Sequence, residues 1–388
     1  MRLFFYFFTT CLLIQPIHAD IRFLSISDIH YGSDNTPGDG HDTGKVLLAN
    51  TLNKLNQLVP HVDFIITLGD FPTHSLLHSP QNERYIKTVF HDLYKASAPN
   101  KPIFYITGNN DSLKGDYQPF SWSGKSPLAL ATDWQGACAH CDGLIIDGTH
   151  MLTDGYYSSY VLPGNKDIVL IALNSIQFTN IPFFATSYPN QHQDALQQLQ
   201  WLSLQLQKLH AKQLLIAMHV PPGTDYKGRP TWHEPYLKQF IHLLNRAYPA
   251  YLQINLLTSH THMDDIRKIR LENGMNIYAF ATPAISRIHH NNPAIKIFEL
   301  GSSMKLKDYT TYYTTTDDQW KNEHYNAIKS NNSLFPQCHG QLLVKCLDSL
   351  NDVTVCKTLQ EGFFYGAKSP RVNGSVCKLT YPINKLYL

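Results

Sequence analysis

Short apolar runs, each closed by a polar or glycine break, alternate along this chain with longer stretches in which apolar residues return every three or four positions. Ile21–Ser27, Asp63–Leu68, Pro102–Thr107, Ile168–Leu173, Gln213–Met218, Leu252–Thr258, Met275–Ala281 and Ala294–Leu300 read as buried strands. Between them, Thr43–Val59 carries Val46, Leu52, Leu55 and Val59 at helical spacing and is stopped by Pro60. Gln81–Tyr94 and Glu234–Tyr248 also read as helices. The clearest helix is Gln191–His210, where Leu196, Leu199, Leu202, Leu206 and Leu209 mark one face. Strands alternating with helices predict a layered α/β sandwich with mixed central sheets. After Gly301 the pattern changes to a Tyr- and Thr-rich stretch, then a helix, then a cysteine cluster.

The first nineteen residues read as a signal peptide. Arg2 is a short positive region, Leu3–Ile14 is apolar, and Ile17-His18-Ala19 ends in a small residue. The apolar run is shorter than the ~20 residues a membrane span needs. The expectation is an exported protein, secreted or periplasmic, with a mature chain from residue 20. Cys11 leaves with the signal and six cysteines remain: Cys138, Cys141, Cys338, Cys346, Cys356 and Cys377. Cys138 and Cys141 predict a local disulfide, and the last four predict a disulfide-stapled C-terminal subdomain, with pairing left open. The expected organisation is signal peptide 1–19, catalytic domain 20–300 and Cys-rich subdomain 301–388. The 388 residues hold 43% hydrophobic positions, enough for a large core, which excludes wholesale disorder. With 32 basic and 30 acidic residues there is no footprint for duplex nucleic acid. The 20 histidines stand out against a charged fraction of 16%.

Five of the predicted strands end in polar groups. Asp28-Ile29-His30 follows the first, Gly69-Asp70 the second and Gly108-Asn109-Asn110-Asp111 the third. His219 follows Leu214–Met218, and His260-Thr261-His262 follows Leu252–Thr258. Strand ends are where α/β sheets bind ligands, because side chains from several rigid elements converge there. Asp28, His30, Asp70, Asn109, His219, His260 and His262 offer carboxylate, amide and imidazole atoms. Seven ligands are too many for one tetrahedral ion. They suit two cations roughly 3.5–4 Å apart with one carboxylate bridging. Such a pair can hold phosphate oxygens and lower the pKa of a shared water, and the hydroxide attacks phosphorus in line.

The ordered pattern DxH, GD, GNxD, H and HTH resembles the calcineurin-like metallophosphoesterases. Gly69-Asp70-Phe71-Pro72-Thr73-His74, His219-Val220-Pro221-Pro222-Gly223, Leu173-Asn174-Ser175, Gln200-Trp201-Leu202, Asn291-Asn292-Pro293 and Asp308-Tyr309-Thr310-Thr311-Tyr312-Tyr313 resemble the acid sphingomyelinase-like branch. The resemblance spans about residues 21–330. It implies that Asp28, His30 and His262 bind one metal, that Asn109, His219 and His260 bind the other, and that Asp70 bridges. It implies zinc, while manganese and iron suit the same ligand types.

Two positions depart from the family pattern. Asn110 stands where the family has a histidine that contacts phosphate. Asn110 can donate a hydrogen bond but not a proton. A second family histidine, four residues after the bridging aspartate, is kept as His74, which makes His74 the candidate general acid. Ser259 stands where glycine normally precedes HTH, with little effect expected. Asp111 is expected to hold the loop of Asn109 and Asn110, Tyr31 to pack beside the metals, and Asp264 and Asp265 to be solvated or structural. His289-His290 is a candidate for the substrate rim.

Thr73 occupies the position where purple acid phosphatases need a tyrosine ligand. Sphingomyelinases of the family carry a lipid-binding saposin domain ahead of the catalytic domain. Asp28 follows the expected cleavage point by only nine residues, and no basic amphipathic helix takes that domain's place. The expectation is therefore a soluble phosphate ester or nucleotide, such as ATP or CDP-choline, with no stable membrane association. Sphingomyelin is the alternative substrate, and a non-catalytic metal-retaining binding protein is the alternative of another class.

Overall fold

The computed structural model describes residues 20–32, 38–97, 101–182, 187–225, 229–321, 323–330, 333–355 and 358. The predicted signal peptide, Cys356 and Cys377 lie outside the described residues. The strands are β1 Ile21–Ile26, β2 Phe64–Thr67, β3 Ile103–Tyr105, β4 Cys138–Ala139, β5 Ile145–Asp147, β6 Tyr157–Leu162 and β7 Asn165–Ala172. They continue with β8 Gln213–Ala217, β9 Gln253–Thr258, β10 Ile266–Arg270, β11 Asn276–Ala281, β12 Ala294–Leu300, β13 Leu306–Tyr313 and β14 His324–Asn326. The helices are α1 Lys45–Leu58, α2 Pro80–Ala96, α3 Gln191–Lys208, α4 Glu234–Ala247 and α5 Leu343–Ser349.

Two seven-stranded mixed sheets form, in the orders β14-β13-β12-β1-β2-β3-β4 and β10-β11-β9-β8-β7-β6-β5. In the first, β1, β2 and β3 run parallel. In the second, β7, β8, β9 and β11 run parallel. Strand β7 shows how the sheets are covered. Ile168, Leu170 and Ala172 join a core shared with the first sheet, while Val169, Ile171 and Leu173 join a second core with α3 and α4. Side chains alternate between faces in a strand, so a strand apolar on both faces must be covered on both. Helix α2 packs on the first sheet through Phe90, whose ring meets Phe71 edge-on at 4.9 Å. Ser79 caps α2 by accepting from Gln81 N at 3.2 Å, and Pro80 occupies its first turn.

The predicted face of α3 is buried at Leu199, Leu202, Leu206 and Leu209, but Leu196 is 38% exposed, and Ala195, Gln198 and Gln205 widen the buried face. Gln198 can be inside because its amide donates to Asn174 O and accepts from Asn174 N, both at 2.9 Å. Val46 is likewise exposed, while Leu47, Leu48, Leu55 and Leu58 turn inward. The Tyr- and Thr-rich stretch after Gly301 is the strand β13, paired antiparallel with β12. Cys138 pairs with Cys141 as expected, with Cα atoms 6.1 Å apart, and Cys338 pairs with Cys346.

Candidate metal centre

Each parallel segment ends where a polar loop begins, so both sheets deliver side chains to one edge. Backbone hydrogen bonds tie the loops together. Asp28 N donates to Gly69 O at 3.0 Å, His30 N to Asp70 O at 2.9 Å and Ser286 N to Asp28 O at 3.0 Å. The loops after β2 and β3 approach so closely that a Cβ on Gly69 would lie 2.2 Å from Gly108 N. A Cβ on Gly108 would lie 2.1 Å from Asp70 Oδ1. Gly69 also has φ +82°. Both positions therefore need glycine.

Six of the seven candidate ligands converge, and Asn109 lies between Gly108 and Asn110, whose backbones meet Asp70. Asp28, His30, Asp70, Asn109, His219 and His262 are buried, and His260 is half-buried. Asp70 Oδ2 lies 3.4 Å from His30 Nε2 and 3.2 Å from His219 Nε2. Asp28 Oδ1 lies 3.5 Å from His262 Nε2 and 3.8 Å from both His30 Nε2 and His219 Nε2. His30, His74 and His262 form one compact group of ligand atoms, Asp28, His30 and Asp70 a second, and Asp70, His219 and His260 a third.

Asp28 Oδ1, His30 Nε2, Asn109 Oδ1 and His219 Nε2 are buried and have no hydrogen-bond partner. Orphaned polar atoms are costly in an interior, and here they face one another. Their opposite ends are firmly held. His30 Nδ1 lies 3.0 Å from Pro72 O, and His219 Nδ1 lies 2.6 Å from Leu68 O. Such outer contacts fix the tautomer that presents Nε2 inward. Asp28, His30, Asp70, His260 and His262 all have positive φ, between 45° and 68°. Each such non-glycine conformation costs about 1–3 kcal/mol, and strain of this kind gathers at functional sites. The electrostatics agree. Burial lowers the pKa of His30, yet the carboxylates of Asp28, Asp70 and Asp42 drive it up to about 10. Burial also opposes His219, which Asp70 and Asp28 drive up to about 9. Burial instead pushes His260 down to about 3 and lowers His262, so the carboxylates draw positive charge to His30 and His219 alone. The oxygen and imidazole donors, orphaned and mutually facing, fit a divalent-cation pair.

Asp70 accepts from Asn110 N at 2.8 Å and from Asn110 Nδ2 at 2.9 Å. Asp111 is buried behind the ligands. It accepts from Asp70 N, Phe71 N, Gly108 N and the Tyr105 hydroxyl at 2.7–3.0 Å. His74 stacks on His30 with ring centroids 3.9 Å apart, and its side chain is 37% exposed.

Three outer residues were missed or misjudged in the sequence. Asp42 lies 3.0 Å from His74 Nδ1 and also accepts from His74 N, Thr73 Oγ1 and Ser286 Oγ. Burial alone would raise its pKa, but the His74 contact holds it well below the usual carboxylate range. Asp116 accepts from Asn109 Nδ2 at 2.7 Å, which leaves Asn109 Oδ1 as the open acceptor of that amide. Burial pushes the Asp116 carboxyl up to about 7. Ser259 Oγ sits 2.9 Å from His219 Nδ1, so its hydroxyl helps hold a candidate ligand.

Tyr31 packs edge-on against Tyr85 at 5.2 Å. His289 meets the ring of His262 at 4.5 Å, while His290 pairs with Asp39 at 3.3 Å. Asp264 and Asp265 are buried and structural rather than solvated, paired with Lys296 and Arg267. Beside His260 opens a cleft of about 270 Å³ lined in part by Tyr117, Ile181, Val220 and Arg229.

Residues 21–264 match the model of the calcineurin-like phosphoesterase family. The chain belongs to the calcineurin-like phosphoesterases. It is similar to sphingomyelin phosphodiesterase A of Dictyostelium discoideum, 21% identical over 75% of this chain and 52% of the relative. It is also similar to sphingomyelin phosphodiesterase 1 of Caenorhabditis elegans, 24% identical over 81% of this chain and 54% of the relative. The chain thus spans about half the length of these relatives. Among solved structures it is similar to PhoD, with a TM-score of 0.48 and 10% identity over 79% of this chain and 68% of that one. As a calcineurin-like phosphoesterase, the chain carries candidate Asp and His ligands at the strand ends, and its family uses a dinuclear metal site.

Proposed function

We propose that this calcineurin-like phosphoesterase is an exported, metal-dependent phosphoric diester hydrolase. The observation that carries the reading is the set of orphaned, buried atoms on Asp28, His30, Asn109 and His219, with those of Asp28, His30 and His219 within 3.8 Å contacts. Asp28, His30 and His262 would hold one cation, Asn109, His219 and His260 the other, with Asp70 between them. Zinc suits this donor set, as do manganese and iron. When bound, the pair supplies positive charge for phosphate oxygens and lowers the pKa of water.

The remaining work falls to this chain's own side chains. His74 donates a proton to the leaving oxygen from Nε2, because Nδ1 is engaged by Asp42. Asn110 holds the carboxylate of Asp70 and contributes a polar contact where the family histidine would stand. Asp111 keeps the two loops in register through its four donors. The two disulfides among the described residues support an oxidising compartment.

The substrates fitting this chemistry are small phosphate esters, with ATP and CDP-choline as the soluble candidates. Sphingomyelin is the second reading, supported by the names of the curated relatives. The test is turnover of bis-nitrophenyl phosphate, ATP, CDP-choline and sphingomyelin micelles by the purified chain with zinc or manganese. Hydrolysis of diesters is expected. A folded, metal-loaded chain inert on all four would replace the enzyme reading with that of a binding protein.

A further inference from the structure

The loop of residues 283–293, between β11 and β12, carries the His289-His290 pair and the Asn291-Asn292-Pro293 motif. It is tied to the ligand-bearing strand ends by its backbone. Ile285 N donates to Ser27 O at 3.1 Å, Ser286 N to Asp28 O at 3.0 Å and Ala284 N to His262 O at 3.2 Å. Ser286 Oγ donates to Asp42 Oδ1 at 2.9 Å, and Asn291 Nδ2 closes the turn by donating to Ser286 O at 2.8 Å. Arg287 is held by Asp317 at 2.6 Å, and His290 N donates to Arg287 O at 2.8 Å.

On this fixed turn the two histidines part. His290 takes φ +61°, and its ring goes to Asp39, 3.3 Å away. His289 is half-buried and sets its ring against that of His262, with centroids 4.5 Å apart and planes at 71°. Among the described residues, His289 is in none of the compact groups of ligand atoms, so it adjoins the site without joining it. Burial first, and His289 next, lower the pKa of His262, and His289 adds a smaller push on His260. His289 therefore stands beside both histidines of the strand end after β9. Packing against His262 alone would be met by an apolar ring. An imidazole offers an N–H in either tautomer, and donation to a charged oxygen is stronger than donation to a neutral one. We propose that His289 is a substrate-binding residue that donates a hydrogen bond from its imidazole to a nonbridging phosphoryl oxygen of the diester. The inference rests on the phosphodiesterase reading and adds a contact to the same site.

The test is calorimetric binding of inorganic phosphate to the metal-loaded chain, read beside metal content and the KM and kcat for bis-nitrophenyl phosphate. His289→Phe keeps a ring against His262 and removes the donor. It is expected to retain the parental metal content, to bind phosphate roughly 10–100-fold more weakly and to raise KM. His289→Gln restores an N–H without the ring and is expected to recover part of that loss. Phosphate bound by His289→Phe as tightly as by the parent overturns the proposal. That holds even if KM alone rises, since the contact would then be to an ester substituent. Loss of metal in His289→Phe overturns it too, because the ring would then support the ligands. A His289→Gln variant that binds phosphate no better than His289→Phe assigns the loss to the ring and has the same consequence. Failure of the underlying reading looks different: the parent itself would bind no phosphate and turn over no diester, and both inferences would fall.

Discussion

Two clusters of buried charge lie almost side by side in this protein, and they are built on opposite principles. At the metal site, carboxylates and imidazoles end in atoms with no partner, on loops held at positive φ. Two residues past His262, Asp264 starts a cluster in which both carboxylate oxygens are used. Lys296 Nζ donates to Asp264 Oδ1 at 2.5 Å and to Ala281 O at 2.6 Å. Thr311 and Tyr325 donate to Asp264 Oδ2 at 2.8 and 2.7 Å. Lys296 also lies over the Tyr309 ring at 4.2 Å. Burying an ion pair is tolerable only when partners of this quality satisfy it. The first cluster leaves buried donor atoms without a partner, whereas both carboxylate oxygens of Asp264 are satisfied within the second. Burial and charge alone therefore do not mark a site here. Unsatisfied atoms that converge from several strand ends do.

The strongest way to break this comparison is Asp70→Asn. It removes the charge between the two candidate cation positions, and both bound metal and diester turnover should fall to background, measured by elemental analysis and by nitrophenol release. Next, His74→Ala should lower turnover by about 10²–10⁴-fold with metal content retained. The loss should be greater for alkoxide than for nitrophenolate leaving groups. Asp42→Asn, acting through His74, should show the same leaving-group trend at about 10–100-fold. Loss of metal in His74→Ala would make His74 a ligand instead.

The self-completed cluster should behave oppositely. Lys296→Met leaves the Asp264 charge buried and unpaired, so unfolding by urea should show a loss of about 3–5 kcal/mol. Adding Asp264→Asn to it should recover part of that loss. The smallest effect is expected at Asp308, whose carboxyl is pushed up to about 6, mainly by burial, from an ordinary value of 3.8. Between those values the native state binds more protons than the unfolded state, so this group adds stability as pH falls from about 6 toward 4. Asp308→Asn should remove that dependence and raise stability at neutral pH by about 1 kcal/mol.

The sequence exposed the part of this architecture that repeats or ends sharply. Continuous apolar strands closed by Asp28, Asp70, Asn109, His219 and His260 were legible because a strand end fixes where the next side chain points. Asp42 was not, since it sits in a loop without periodicity and reaches His74 across 32 positions of chain. Asp116 was hidden for the same reason, and Ser259 because a small residue gave no sign that its hydroxyl would meet His219. The two-residue strand β4 is too short to carry a pattern. The leucine face of α3 was legible except at Leu196, but its two buried glutamines, Gln198 and Gln205, were not, because hydrogen bonding rather than hydrophobicity buries them.

The central claim is that the orphaned atoms hold a pair of cations that enables diester hydrolysis. Its most direct test is a metal titration of the stripped chain, following bis-nitrophenyl phosphate turnover and bound metal together. Turnover that rises to a plateau at two equivalents of zinc or manganese per chain is the predicted result. A plateau at one equivalent, or turnover that ignores the metal, would contradict it.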